Sequence, residues 1–344
     1  MNALYSLIFV FALVLIPLVG VGAAHLQTFF GVCVPLTAVI IFLAGFTFKI
    51  LKWVKSPVPY RIPTTGGQQQ SLDWIKQNKW DNPSTGPQTV MRMILEVLCF
   101  RSLFRNTRVE LNKDAGTVGY ASDKWLWVFA ILFHYGFVMI FFRHFRLFMN
   151  PVPLPLTFLE FGDGIMQIGV PTFYMSDALL MVGALLLLGR RLWDAKVRYI
   201  SLVADYFPLL LIIGIALSGI YMRYFVKVDI ISIKDVTMGL VTGHFTDLPF
   251  DKINVSFFVH VFMVSTLMIY FPFSKLMHLG GVLLSPTRNL PNDTRMRHHE
   301  NPWNPDIKPH SYASYEKEFG VPMAEAGLPL DDPENAKPAE EREG

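Results

Sequence analysis

Long apolar stretches alternate with polar ones along the chain, and six of the apolar stretches reach the length that a membrane crossing requires. They cover residues 4–23, 32–53, 125–149, 172–188, 202–226 and 254–284. A hydrocarbon layer of about 30 Å takes roughly 20 residues of helix, so each stretch predicts one transmembrane helix. No Lys or Arg precedes the first stretch, so it lacks the charged start of a secretory leader and reads as a retained helix. Between the second and third stretches lies a polar insertion. Its first part is rich in Pro, Gly, Gln and Asn and predicts a loop. Its second part, residues 89–111, sets Met91, Ile94, Leu95, Leu98 and Phe104 at helical spacing beside Arg92, Arg101, Arg105 and Arg108. That pattern predicts a basic amphipathic helix, lying in the headgroup plane or docked on a partner. Beyond Ser285 the chain turns Pro-rich, polar and finally acidic, too weakly apolar to fold alone, and so is expected to be disordered or bound to a partner. The expected layout is two amino-terminal transmembrane helices over 1–54, a cytoplasmic insertion over 55–124, a four-helix domain over 125–284 and a cytoplasmic tail over 285–344.

Composition agrees with this pattern. Of 344 residues 52% are hydrophobic, 29 are Phe and only 17% are charged, which excludes an ordinary soluble domain. A net charge of +3 gives no ground for nucleic-acid binding. Its distribution fixes the expected topology, because Lys49, Lys52 and Lys55 follow the second stretch and Arg190, Arg191, Lys196 and Arg198 follow the fourth. Positive charge stays on the cytoplasmic side, so a multi-pass protein of the cell membrane with both termini in the cytoplasm is expected. Trp53, Trp125, Trp127 and Trp193 fall where interfacial anchors belong. The two cysteines, Cys33 and Cys99, form no CxxC or CxxCH motif, which argues against an iron–sulfur cluster, a zinc site or c-type heme on this chain. His25 and the pair His298-His299 read as solvated residues, the latter for want of further ligands at metal-binding spacing.

Four further histidines lie inside apolar stretches, where an ionisable group is a functional suspect by default. His260 and His278 are eighteen residues apart, close to five helical turns, and so share one face. His134 and His144 are ten apart on the third stretch. The third and sixth stretches run in opposite directions, so depth pairs His134 with His278 on the cytoplasmic side and His144 with His260 on the external side. Facing neutral imidazoles suit axial ligation of heme iron, and two such pairs predict two hemes stacked across the membrane. The separations of about 15 Å and 27 Å of straight helix do not match, and a kink at Pro272 is expected to absorb part of the difference.

Around these residues, FHYGFVMIFFRH at 133–144, GRRLWDAKVR at 189–198 and FPFSKLMH at 271–278, the chain resembles the gamma, or cytochrome b, subunit of respiratory nitrate reductase and its relatives. The resemblance implies two b-type hemes ligated by His134, His144, His260 and His278, a quinol site near the external heme and an iron–sulfur subunit facing the cytoplasmic one. The extra first helix, the insertion and PYRIPTTGGQQQSLDWIK at 59–76 are similar to the membrane cytochrome b of the Dsr complex of sulfate reducers and sulfur oxidisers. That similarity implies electron exchange between menaquinone and a cytoplasmic iron–sulfur partner similar to heterodisulfide reductase, within a larger membrane redox complex acting in sulfur-compound respiration or oxidation. The chain itself is then a quinol/quinone oxidoreductase subunit that carries electrons, not the sulfur chemistry. The external loop after the third stretch lacks the lysine that the nitrate reductase family uses near the quinol.

Arg143, Arg146 and Arg223 have a suitable depth to meet heme propionates or a quinone oxygen, although snorkelling to the interface fits them as well. Glu160 and Asp163 are weaker candidates for accepting quinol protons, and Arg190, Arg191 and Lys275 lie at the cytoplasmic end. Competing readings are a nitrate reductase gamma subunit proper, a proton relay or transporter without heme, and a structural anchor for a cytoplasmic enzyme.

Overall fold

A computed structural model describes residues 1–56, 58, 67–112, 115–166, 172–296, 303 and 305–338. It divides into two compact units, Met1–Met296 and Arg297–Gly344. In the first unit α1 (Asn2–Gly22) leads through a π-helical turn, Phe29–Cys33, into α2 (Val34–Val54). The insertion holds α3 (Gly86–Cys99), α4 (Arg101–Phe104) and an antiparallel hairpin of β1 (Thr107–Asn112) and β2 (Thr117–Ser122). Then come α5 (Lys124–His144), α6 (Leu154–Asp163), the small strand pair β3 (Gly164–Met166) and β4 (Phe173–Tyr174), α7 (Met175–Trp193) and α8 (Ala195–Ile200). The unit closes with α9 (Val203–Ile220), α10 (Ile230–Thr242), α11 (Val255–Tyr270) and α12 (His278–Leu284).

Five stretches are long and apolar enough to cross a membrane: Asn2–Gly22, Phe29–Val54, Lys124–Leu147, Val203–Val226 and Val255–Phe273. The protein is mostly helical and multi-pass. The sequence predicts six crossings, and the fourth falls on α7. That helix has 19 residues but carries Asp177, Arg190 and Arg191, which leave it outside the five.

α5 and α7 pack most closely. A Cβ on Gly136 would sit 2.5 Å from the Leu180 backbone nitrogen, and one on Gly183 would sit 2.4 Å from that of Phe133. Small residues let two helix backbones touch in this way where lipid supplies no hydrophobic drive. α1 packs on α9 and α11, α2 on α11, and α9 on both α7 and α11. Val10, Leu211, Val259 and Met263 form one buried cluster at these contacts. A second consists of Val21, Phe30, Met222, Ile233, Val236, Phe257 and Phe258. Elsewhere the helices present bare apolar faces, with Ile40 and Phe48 among the large exposed side chains, as lipid-facing surfaces do.

Three expectations need correction. The stretch 254–284 is not one helix: α11 ends at Tyr270, two 3-10 turns at Phe271–Phe273 and Lys275–Met277 flank an extended Ser274 (φ −122°, ψ 178°), and α12 begins at His278. Pro272 has no N–H to give, which accounts for the break. The helix expected over 89–111 stops at Cys99 and resumes only for one turn, because TRVELN alternates with period two and pairs with TVGYAS as a small hairpin within an otherwise helical protein. In the tail, residues 285–296 belong to the first unit, with Asn292 donating to Pro83 O (2.6 Å) and to Asn82 Oδ1 (3.1 Å). The second unit is ordered around α13 (Tyr312–Glu325), where buried Glu316 accepts from the backbone of Asp331 and Asp332 and from Asn335 Nδ2. His298-His299 and residues 59–66 lie outside the described residues.

Candidate heme-ligand pairs and their surroundings

α5 carries His134 and His144, α11 carries His260, and the break after Tyr270 delivers His278 at the head of α12. The structure brings His134 to His278, with ring centroids 6.0 Å apart and planes at 79°. It brings His144 to His260, with centroids 6.4 Å apart and planes at 12°. The unequal steps along the two segments are reconciled by the turn at Pro272. Past it His278 no longer continues the line of α11.

Hydrogen bonds define which nitrogen each ring offers. His134 Nδ1 lies 2.7 Å from Ala130 O, His144 Nδ1 2.7 Å from Ile140 O and His278 Nδ1 2.9 Å from Lys275 O. A carbonyl only accepts, so Nδ1 carries the proton and Nε2 keeps its lone pair. His260 reaches the same state through a neighbour. The Ser218 hydroxyl donates to Ile215 O (2.8 Å) and therefore accepts from His260 Nδ1 (2.8 Å). Such partners on the far nitrogen are the usual outer support of a metal-binding imidazole. Metal–nitrogen bonds of about 2 Å on both sides of one ion, with each ring centre about 1 Å behind its nitrogen, would set the centroids about 6 Å apart. The two pairs therefore fit axial ligation. No group of three or more His, Cys, Asp or Glu able to hold a metal ion occurs among the described residues.

Beside His144 lies a buried ionic network. Arg143 donates to Asp163 Oδ2 (2.6 Å) and to Asp177 Oδ1 (2.8 Å), with its guanidinium 3.6 Å from the Tyr174 ring centre. Asp163 also accepts from the Ser176 backbone (2.8 Å) and hydroxyl. Arg146 pairs with Glu160, which also accepts from the Tyr174 hydroxyl. Arg143 and Arg146 are thus committed to carboxylates. Arg223 donates to Thr172 O (3.0 Å) and lies 4.2 Å over the Tyr174 ring, yet its buried Nε has no partner among the described residues. Asp163 is fully engaged. Glu160, by contrast, lines an outward-opening cavity of about 290 Å³ with Arg146, Thr157, Ile230 and Lys234.

At the end of the helices that carries the basic clusters, Arg190 binds Asp123 (2.9 Å), Arg191 donates to Ser201 Oγ (3.0 Å) and Lys275 binds Asp205 (2.6 Å). Sequence reasoning missed Ser218, Tyr174 and Asp177. Asp177, a carboxylate within an apolar stretch, carried a usable signal, whereas Ser218 carried none.

The chain is 44% identical over 282 residues to an Hdr-like menaquinol oxidoreductase cytochrome b-like subunit of Archaeoglobus fulgidus, covering 80% of this chain and 83% of that one. A protein of the same description from Archaeoglobus profundus is 39% identical over 272 residues, 77% of this chain and 80% of the other. A subunit of the dihydromethanophenazine:CoB–CoM heterodisulfide reductase of Methanosarcina barkeri is 21% identical over 261 residues, 73% and 88% of the two chains. Residues 92–291, which hold all four histidines, match the model of the nitrate reductase gamma subunit family, and to that family the chain belongs.

Proposed function

We propose that the protein is a di-heme cytochrome b membrane subunit that passes electrons between menaquinol and a cytoplasmic iron–sulfur partner. The observation that carries this reading is the pairing of four histidines into two sets at 6.0 and 6.4 Å, every Nδ1 engaged and every Nε2 available. When bound, heme b supplies reversible one-electron chemistry at iron. His134 and His278 would hold the cytoplasmic-side heme, and His144 and His260 the external-side one. The relatives named as menaquinol oxidoreductase subunits support menaquinol as the exchanging substrate. The heterodisulfide reductase relative supports a partner of that type, in sulfur-compound metabolism.

The cavity beside Arg146, Glu160 and Lys234 suits the quinol headgroup, with Glu160 placed to accept a proton and Lys234 to orient an oxygen. Arg223, whose Nε has no partner among the described residues, has a donor for a propionate. α7 makes the sixth crossing, which keeps both termini and the two basic clusters on the cytoplasmic side.

A reduced-minus-oxidised spectrum with a pyridine hemochrome assay tests the reading. About two hemes b per chain are expected. His134→Ala and His278→Ala should each remove one spectral component, and His144→Ala and His260→Ala the other. Folded protein without heme, or a variant that keeps both components, overturns it.

A further inference from the structure

α3 turns its polar side inward and its apolar side outward. Thr89, Arg92 and Glu96, spaced as one helical stripe, are buried. Arg92 donates to the Asp81 carbonyl, Glu96 binds Arg288 (3.0 Å) and accepts from the Ser102 backbone (3.1 Å). The opposite stripe of Val90, Met91, Ile94, Val97 and Leu98 is exposed, Val90 by 60% and Leu98 by 54%. A soluble helix does the reverse.

The carboxyl end of this helix reaches the flank of a membrane crossing. The Trp127 indole donates to Cys99 O (2.8 Å) and the Tyr135 hydroxyl to Leu98 O (2.8 Å). Those two residues stand about 4 Å and about 16 Å of helical rise beyond Lys124, where α5 begins. The end of α3 therefore lies along the inner half of a hydrocarbon layer about 30 Å thick. Helix ends leave carbonyls unpaired, and at that depth water is not there to pair them. Here an indole and a phenol do so, and Leu95 O accepts from the backbone of Phe100, which adopts a left-handed conformation (φ 49°) to turn the chain back into α4.

We propose that α3 and α4 form a re-entrant segment seated in the cytoplasmic leaflet, its exposed stripe in contact with lipid acyl chains. Continuity with the lipid-facing surface of α5 and the satisfied carbonyls at depth select lipid as the occupant over a soluble protein. The turn of this segment puts the Phe100 ring 5.0 Å from that of His134, so seating in the leaflet also fixes what lies against the inner histidine.

The test uses the full chain in nanodiscs of phosphatidylcholine and phosphatidylglycerol, in a Cys33→Ser, Cys99→Ser background. Spin labels are placed by Ile94→Cys, by Val90→Cys as a second site, and by Val118→Cys on the exposed hairpin as the aqueous reference. Monodisperse elution qualifies each variant as folded. Labels at 94 and 90 should relax with oxygen and be several-fold less accessible to a water-soluble nickel chelate than the label at 118. Nickel access equal to that at 118 overturns the proposal in favour of a water-facing surface, and shielding from both oxygen and nickel overturns it in favour of a protein cover.

Discussion

At the outer pair the imidazole planes of His144 and His260 lie within 12° of each other, both rings sit on continuous helices, and Arg143 beside them is clamped between Asp163 and Asp177. At the inner pair the planes stand at 79°, His278 follows a broken segment, and the nearest ion pair of that segment, Lys275 with Asp205, has its lysine largely exposed. Similar centroid distances are thus reached by different means. One end is held by buried charge and unbroken helix, the other by the short turns around Pro272. Reliance on buried charge makes the outer end sensitive to single substitutions that the inner end tolerates.

The sharpest test of that contrast is Arg143→Ala. It leaves two buried carboxylates without their cation, a change that costs about 3–5 kcal/mol, and should appear as a large loss of thermal stability together with loss of the outer spectral component before the inner. If the variant melts like the parent, the outer end is not held by its charges. Ser218→Ala comes next. It removes the acceptor on His260 Nδ1 without touching the ring, and on the proposed di-heme reading should weaken retention of the outer heme by about 10–100-fold, the usual weight of such outer partners. Redox titration should show the outer component shifted and the inner one in place. The smallest effect is expected for Lys275→Ala, which breaks an exposed pair worth less than about 1 kcal/mol. A melting shift as large as that of Arg143→Ala would erase the distinction between the two ends.

The pairing of the four histidines was legible because it needed only helical periodicity and alternating helix direction, both written locally in the chain. The break that delivers His278 was half legible. Pro272 announced it, but the extended Ser274 depends on the fold. The Arg143 network was not legible, since its carboxylates lie 20 and 34 residues away and are brought together by α6 and the Gly136–Gly183 contact of α5 with α7. For the same reason Arg143 and Arg146 read as free cations in the sequence and are spent on carboxylates in the fold. The amphipathic pattern of α3 was visible, but which of its faces turns to protein is decided by Asp81 and Arg288, far outside any helical window.

Three of the four imidazoles take their hydrogen bond from a carbonyl three or four residues back in their own segment. Their tautomer and tilt are therefore set as soon as the local turn forms, before any other part of the chain is in place. Only His260 waits for another helix, through Ser218. On the proposed di-heme reading, three of the four ligands are thus oriented by their own segments, and the packing of α11 beside α9 completes the set.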